Sequence, residues 1–339
     1  MAKESVQQLA KGDYETPLNI MHVDDRGTYI LDKPVQGNIP HIAVYANTIP
    51  AAWELAMISC WDNGARVGTH YDNTKETPKS KEGTISIKVA NPFNEPRISL
   101  PGFPAGPEGL EVYRQEVVNG VHDHWIDPQA KKWTYTYHER LTNYRLSTDL
   151  NADNRGFIVP AKDAVDQMEK VIDDLERDIT SKGAQATTWM PSADPGLESN
   201  RPCLQRLWFR PLPVDLEDES KGYKLNLNSH WRSRDLAKAW FMNVFAITDW
   251  QRDMAQRLQD RIGKPVQVGS YFDTSDSLHI YGDYFYKDEA FKEEFERMRN
   301  DNLEKRTWNS DHPAFTFGVE ETQQKLKDDI DYQKKGGKV

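Results

Sequence analysis

Cysteine is nearly absent: the 339-residue chain has two, Cys60 and Cys203. Two thiols so far apart exclude a disulfide framework and have no zinc-ligand spacing, so no metal is expected. Long apolar runs are missing as well. No stretch of about 18 apolar residues occurs, so no membrane span is expected. The opening MAKESVQQLAKGDYE is polar, without the apolar segment of a secretory signal. Positive charge is in deficit, 43 Lys and Arg against 53 Asp and Glu, a formal net of −10. That balance argues against a general nucleic-acid binder. It leaves room for a small anionic substrate, because a few local arginines outweigh the global sign. Repeats and low-complexity tracts are also absent, and a reduced, cytoplasmic protein is the expectation.

What the chain does have is core-forming residues: 37% apolar and 11% aromatic, with ten tryptophans. That places it among globular chains with a substantial core. HIAVYANTIPAAWELAMISCWDNG reads as a short strand, then a Pro-entered helix over 51–61 that stops at Asn63-Gly64. GTISIKV alternates like a half-buried strand, and LEVYRQEVVNGVHDHWID reads as helical. PAKDAVDQMEKVIDDLERDI is the clearest amphipathic helix, with Val165, Met168, Ile172 and Leu175 on one stripe. AQATTWMP, CLQRLWFRPL and YKLNLNSHWRS follow as strands. A long helix beginning in RDLAKAWFMN is apolar nearly all round at its start, which predicts burial. PVQVGSYFDTSDSLHIYGDYF reads as strand interrupted by a tight polar turn. No linker divides the middle, and one α+β domain with peripheral additions is the best reading. Its expected limits are 41–289, with an N-terminal extension over 1–40 and a charged, mostly helical one over 290–339.

Within SNRPCLQRLWFRPLP, Cys203 follows Pro202 and lies close to Arg201, Arg206 and Arg210. A free cysteine on an apolar strand is most often a small core residue. Cationic surroundings, though, lower a thiol pKa and favour the nucleophilic thiolate. Downstream, HWRSRDLAKAWFMN puts Arg232, Ser233 and Asp235 at a strand-to-helix junction, with Asn243 eight residues after Asp235. An arginine fork beside a hydroxyl suits a phosphate. A buried amide such as Asn243 needs partners, and a ligand with paired donor and acceptor would satisfy it. DSLHIY then sets His279 and Tyr281 two residues apart on one strand face.

Taken in order, these residues resemble the thymidylate synthase superfamily, which includes the pyrimidine-nucleotide hydroxymethylases. The resemblance runs over 184–285 and extends more weakly back through YTYHERL, HDHWID and AAWELAM. Its wording is closest to the divergent, archaeal-type members. It implies a mixed sheet with helices packed on one side, the sheet serving for homodimerisation. It further implies a pyrimidine nucleoside monophosphate as substrate, dUMP favoured, and reduced folate, 5,10-methylenetetrahydrofolate, as co-substrate.

By that resemblance Cys203 is the thiolate that adds to C6 of the base, and Arg232 binds phosphate and lowers the Cys203 pKa. Ser233 also binds phosphate. Asn243 matches the amide that reads uracil, His279 and Tyr281 the pair on the 3′-hydroxyl, and Asp235 the aspartate on the pterin. Glu54 matches the glutamate that organises water and relays protons; its plainer reading is a first-turn carboxylate favoured by the helix dipole. Tyr137 matches the tyrosine associated with loss of the C5 proton, with Tyr135 as the alternative register.

Two departures stand out. Where the family has an Arg-Arg pair reaching the partner's phosphate, this chain has Lys182-Gly183, so Lys182 or another group such as Arg66 would have to substitute. His122 falls where synthases carry a tryptophan over folate, with Trp125 nearby. A polar residue there would ease capture of the one-carbon unit by water. The expectations are therefore dTMP synthesis from dUMP first, dUMP or dCMP 5-hydroxymethylation second, and a non-catalytic nucleotide-binding homologue third. Val339 matches the aliphatic end of many synthases only in its residue type.

Overall fold

The computed structural model describes residues 22–23, 29–30, 37–69, 75, 77–102, 106–126, 133–144, 164–191, 193–196 and 201–334. Most of 1–40, and Val339, lie outside the described residues. The chain begins with two short strands, β1 (His22–Val23) and β2 (Tyr29–Ile30), which lead into β3 (His41–Ala46). Helix α1 (Ile49–Asn63) follows, entered through Pro50 and capped by Thr48, whose hydroxyl accepts from Ala51 N at 3.4 Å. It closes where Gly64 N donates to Cys60 O. Next come β4 (Ala65–Val67), β5 (Ser80–Val89), the two-residue β6 (Ile98–Ser99) and α2 (Gly106–Asn119). The helix expected to run through HDHWID instead ends at Asn119. Gly120 takes a φ of 62° there, a left-handed conformation that glycine adopts without steric cost. Asp123–Trp125 forms one tight turn.

Two further helices, α3 (Tyr137–Thr142) and α4 (Gln167–Arg177), precede β7 (Gln185–Thr187), β8 (Leu204–Pro213) and β9 (Tyr223–Asp235). The long α5 (Trp240–Ile262) leads to β10 (Val266–Ile280), then to α6 (Gly282–Lys287), α7 (Glu289–Asn300), β11 (Thr307–Trp308) and α8 (Pro313–Lys334). On α4 the expected stripe is buried at Met168, Ile172 and Leu175, joined by Val171, whereas Val165 lies ahead of the helix and bridges Tyr144.

The sheet runs β1-β2-β3-β5-β10-β9-β8-β7, with β4 on β5. It is mixed: β3 is parallel to β5 and β9 to β10, while β5/β10 and β8/β9 are antiparallel. The polar stretch TSDS, expected to turn, is instead continuous strand. It is flanked by β9 on one side and β5 on the other, and the surplus residues are taken up as a register shift between Ser275 and Leu278. Along β8 and β9 burial alternates. The buried residues, among them Phe209, Leu227 and Trp231, join a core with Trp53, Trp240 and Phe241 from α1 and α5. Phe295 and Met298 of α7 and Phe315 of α8 enter the same core. Among the described residues no helix is long and apolar enough to cross a membrane.

Candidate active site

Parallel β9 and β10 finish at the same edge of the sheet, where Asp235 stands opposite His279. Antiparallel β8 starts at that edge, and Cys203 precedes it by one residue, its carbonyl accepting from Arg232 N at 3.0 Å. Helix α5 departs from there, placing Asn243 in its first turn, and α2 brings Tyr113, Glu116 and Val117 to the same place. These elements enclose a cavity of about 710 Å³, within the range of small-molecule sites. Cys203, Ser233, Asp235, Asn243, His279, Tyr281 and Tyr137 all line it. Residues separated by as much as 168 positions in sequence, Tyr113 to Tyr281, thus share one cleft.

Arg232 is held against the thiol. Its Nε donates to Pro202 O at 2.9 Å, and one terminal nitrogen donates to Arg201 O at 2.8 Å and lies 3.7 Å from Cys203 Sγ. Burial is the largest influence on Cys203 and pushes its thiol above the ordinary value, while the Arg232 and Arg234 charges pull it down. The expectation of a net-lowered thiol is therefore corrected: desolvation outweighs both guanidinium groups. Arg206 and Arg210 are not part of this environment. Strand alternation turns them to the outer face of the sheet, where Arg210 donates to Ser181 O at 2.9 Å and Arg206 to Gln185 Oε1 at 3.4 Å. Arg234 takes their place; it is buried, paired with Asp273 and stacked 4.1 Å over Trp231.

Asn243 is buried and its Nδ2 donates to the Tyr113 hydroxyl. Withdrawal from water raises the phenols of Tyr137 and Tyr113, and that of Tyr135 to about 12, so all three are neutral near pH 7. Asp235 caps the turn into α5, accepting from Ala237 N at 2.9 Å and Lys238 N at 3.0 Å, and also accepts from Tyr284. His279 and Tyr281 have ring centroids 4.7 Å apart; His279 is the penultimate residue of β10, and Tyr281 lies one residue beyond the strand and precedes α6.

Glu54 is not at this cavity. Its carboxylate is buried and held by Arg306, Nε to Oε1 at 3.0 Å and a terminal nitrogen to Oε2 at 2.7 Å. The glutamate lining the cleft is Glu116 on α2. The signal for it was present in the sequence. Leu110, Tyr113, Glu116 and Val117 recur at helical spacing, and Leu110 and Val117 are buried. His122 and Trp125 stand one layer behind the wall. They stack on each other at 3.6 Å, and His122 Nδ1 is 2.6 Å from Glu116 Oε1. The tryptophan lining the cleft is Trp133, edge-on to both rings. Lys182 is exposed on the loop beside β8, its carbonyl accepting from Trp208 Nε1, and Arg66 is exposed on β4 opposite Lys81. Neither lines the cavity.

Residues 111–330 match the family profile described as thymidylate synthase. The chain is also similar to archaeal proteins carrying the name "Putative thymidylate synthase". It is 23% identical to that of Methanosarcina acetivorans and 25% to that of Methanosarcina mazei, in each case over 70% of this chain and 88% of the relative. It is 25% identical to that of Methanocaldococcus jannaschii over 65% of this chain and 82% of the relative.

Proposed function

The chain belongs to the thymidylate synthase family, and from that premise we propose that it transfers one carbon to C5 of a pyrimidine deoxynucleotide, converting dUMP to dTMP. The observation carrying this reading is that Cys203, with Arg232 3.7 Å from its sulfur, opens onto the same cleft as Asn243. The co-substrate, 5,10-methylenetetrahydrofolate, would supply the carbon and, for dTMP, the hydride. Trp133 and Asp235 on the cavity wall fit a pterin, one offering an aromatic face and the other acceptor oxygens.

C5 of uracil is a poor nucleophile. Addition of the Cys203 thiolate at C6 moves the ring electrons toward C5 and O4, and C5 becomes nucleophilic. Asn243 reads the N3–O4 edge and steadies the charge that develops at O4. Ser233 and Arg232 take the phosphate, which requires Arg232 to exchange a backbone carbonyl for it. His279 and Tyr281 hold the sugar 3′-hydroxyl. Glu116, in the position first assigned to Glu54, moves protons at O4 and the one-carbon unit. Tyr137 is neutral and holds the water that accepts the C5 proton, since a phenol with a raised pKa is a poor base. The exposed outer face of the sheet, with Tyr45 66% and Leu212 48% exposed, supports a homodimer with Lys182 on that face. Action in the cytoplasm follows from the same reading.

A second reading, 5-hydroxymethylation of dUMP or dCMP, is favoured by the Glu116–His122 contact at 2.6 Å. Held from behind by that imidazole, the Glu116 carboxylate on the cavity wall can activate water at the one-carbon unit before hydride arrives. Mass spectrometry of the product from dUMP and 5,10-methylenetetrahydrofolate, run beside dCMP, separates the readings. A methyl product supports the first, a product heavier by one oxygen supports the second, and no C5 product from either nucleotide refutes both.

A further inference from the structure

The Asn243–Tyr113 hydrogen bond joins α5 to α2 at the point where the base would be read. A side-chain amide has two settings related by a half-turn about its last bond. In one, Oδ1 accepts from N3–H and Nδ2 donates to O4, the pattern of uracil. In the other, Nδ2 donates to N3 and Oδ1 accepts from the 4-amino group, the pattern of cytosine. The amide alone therefore does not choose between the bases; whatever holds its orientation does. Here Nδ2 gives one of its two hydrogens to the Tyr113 hydroxyl, leaving the other and Oδ1 for the base.

A hydroxyl can accept or donate, so its own proton needs a direction. Glu116 lies one helical turn further along α2, and its negative charge acts on the Tyr113 phenol. A hydroxyl proton drawn toward that carboxylate leaves the oxygen lone pair for Asn243. The Tyr113 ring is packed against the core, which limits its rotation. We propose that Tyr113 determines base specificity, its hydroxyl fixing the Asn243 amide in the uracil-reading setting so that a uracil nucleotide is taken over a cytosine one. This rests on the assignment of the cavity to a pyrimidine nucleotide.

Isothermal titration calorimetry of the full chain with dUMP and dCMP, before and after Tyr113→Phe, tests it. The ratio of the dCMP to the dUMP Kd falls about tenfold in the variant, and 2-deoxyribose 5-phosphate binds as before. In an Asn243→Ala background, Tyr113→Phe changes the ratio no further, which a merely structural role would not produce. An unchanged ratio, equal weakening of both nucleotides, or the same change without Asn243 overturns the role. Should Tyr113→Phe fail to fold, Glu116→Gln removes the orienting charge and lowers the ratio in the same direction; an unchanged ratio there overturns it equally. Wild-type binding of neither nucleotide overturns the reading of the cavity and this inference together.

Discussion

Replacing Arg306 with alanine is expected to be among the most damaging single changes outside the cleft. The Glu54 and Arg306 side chains are only 8% and 6% exposed and share two hydrogen bonds across 252 residues of sequence. Arg306 also donates to Arg297 O at 2.9 Å, so it ties α1 to the end of α7. Truncation leaves a buried carboxylate unpaired, which costs about 3–5 kcal/mol. At about 2.1 cal/mol/K of unfolding entropy per residue, a chain of this length would lose roughly 4–7 °C of Tm. Burial already raises the Glu54 pKa, with Arg306 opposing it. A carboxyl with a raised folded pKa contributes stability in full below its unfolded value, and loses it as pH rises through the folded pKa. Removing Arg306 raises the folded pKa further, so the loss is largest near pH 8 and shrinks toward pH 5. Differential scanning calorimetry at both values reads this directly. An R306A Tm equal to wild type at pH 8, or a deficit that grows on acidification, would refute the buried-pair account.

Exchange of the two glutamates separates anchoring from chemistry: Glu54→Gln retains kcat within a few-fold, while Glu116→Gln lowers it about 10²–10⁴-fold, and the reverse order in steady-state assays would restore Glu54 to the mechanism. Iodoacetamide labels Cys203 but not Cys60 in the native protein, because Cys60 is fully buried with its pKa pushed up to about 12; peptide mass mapping that finds both labelled contradicts this. Labelling of Cys203 accelerates with pH through the ordinary thiol range, since burial raises its pKa, and Arg232→Ala slows it at pH 8 by removing a charge that favours thiolate; a faster variant would reverse the assigned electrostatics. Gly282→Ala would place a Cβ 1.7 Å from Pro78 O, and is expected to lower Tm and weaken nucleotide binding through the adjacent Tyr281; an unchanged Tm and Kd would show that the backbone relaxes at no cost.

Residues carried by strands and their ends were readable because the strand period fixes which side chains share a face. His279 and Tyr281 were paired on that basis, whereas Cys203 and Ser233 stood out through the arginines beside them and the family resemblance; all four line the cleft. Helices were harder. AAWELAM presents one glutamate and LEVYRQEVVNG two, and local pattern did not reveal that Glu54 would be claimed by Arg306, 252 residues away. The layering of His122 behind Trp133 was likewise hidden, since it depends on stacking across a turn set by Gly120. The polar run in β10 reads as a turn in isolation and becomes strand only because two neighbours supply hydrogen bonds on both sides. Desolvation of the Cys203 sulfur follows from enclosure by several elements, which the clustering of arginines in sequence does not convey.

Release of tritium from dUMP labelled at C5 is the most direct test of the covalent role of Cys203. With 5,10-methylenetetrahydrofolate the wild-type chain is expected to release label to water in step with product, and Cys203→Ala to release none while still binding dUMP. Release by Cys203→Ala at the wild-type rate, or none from the wild type, would contradict the account.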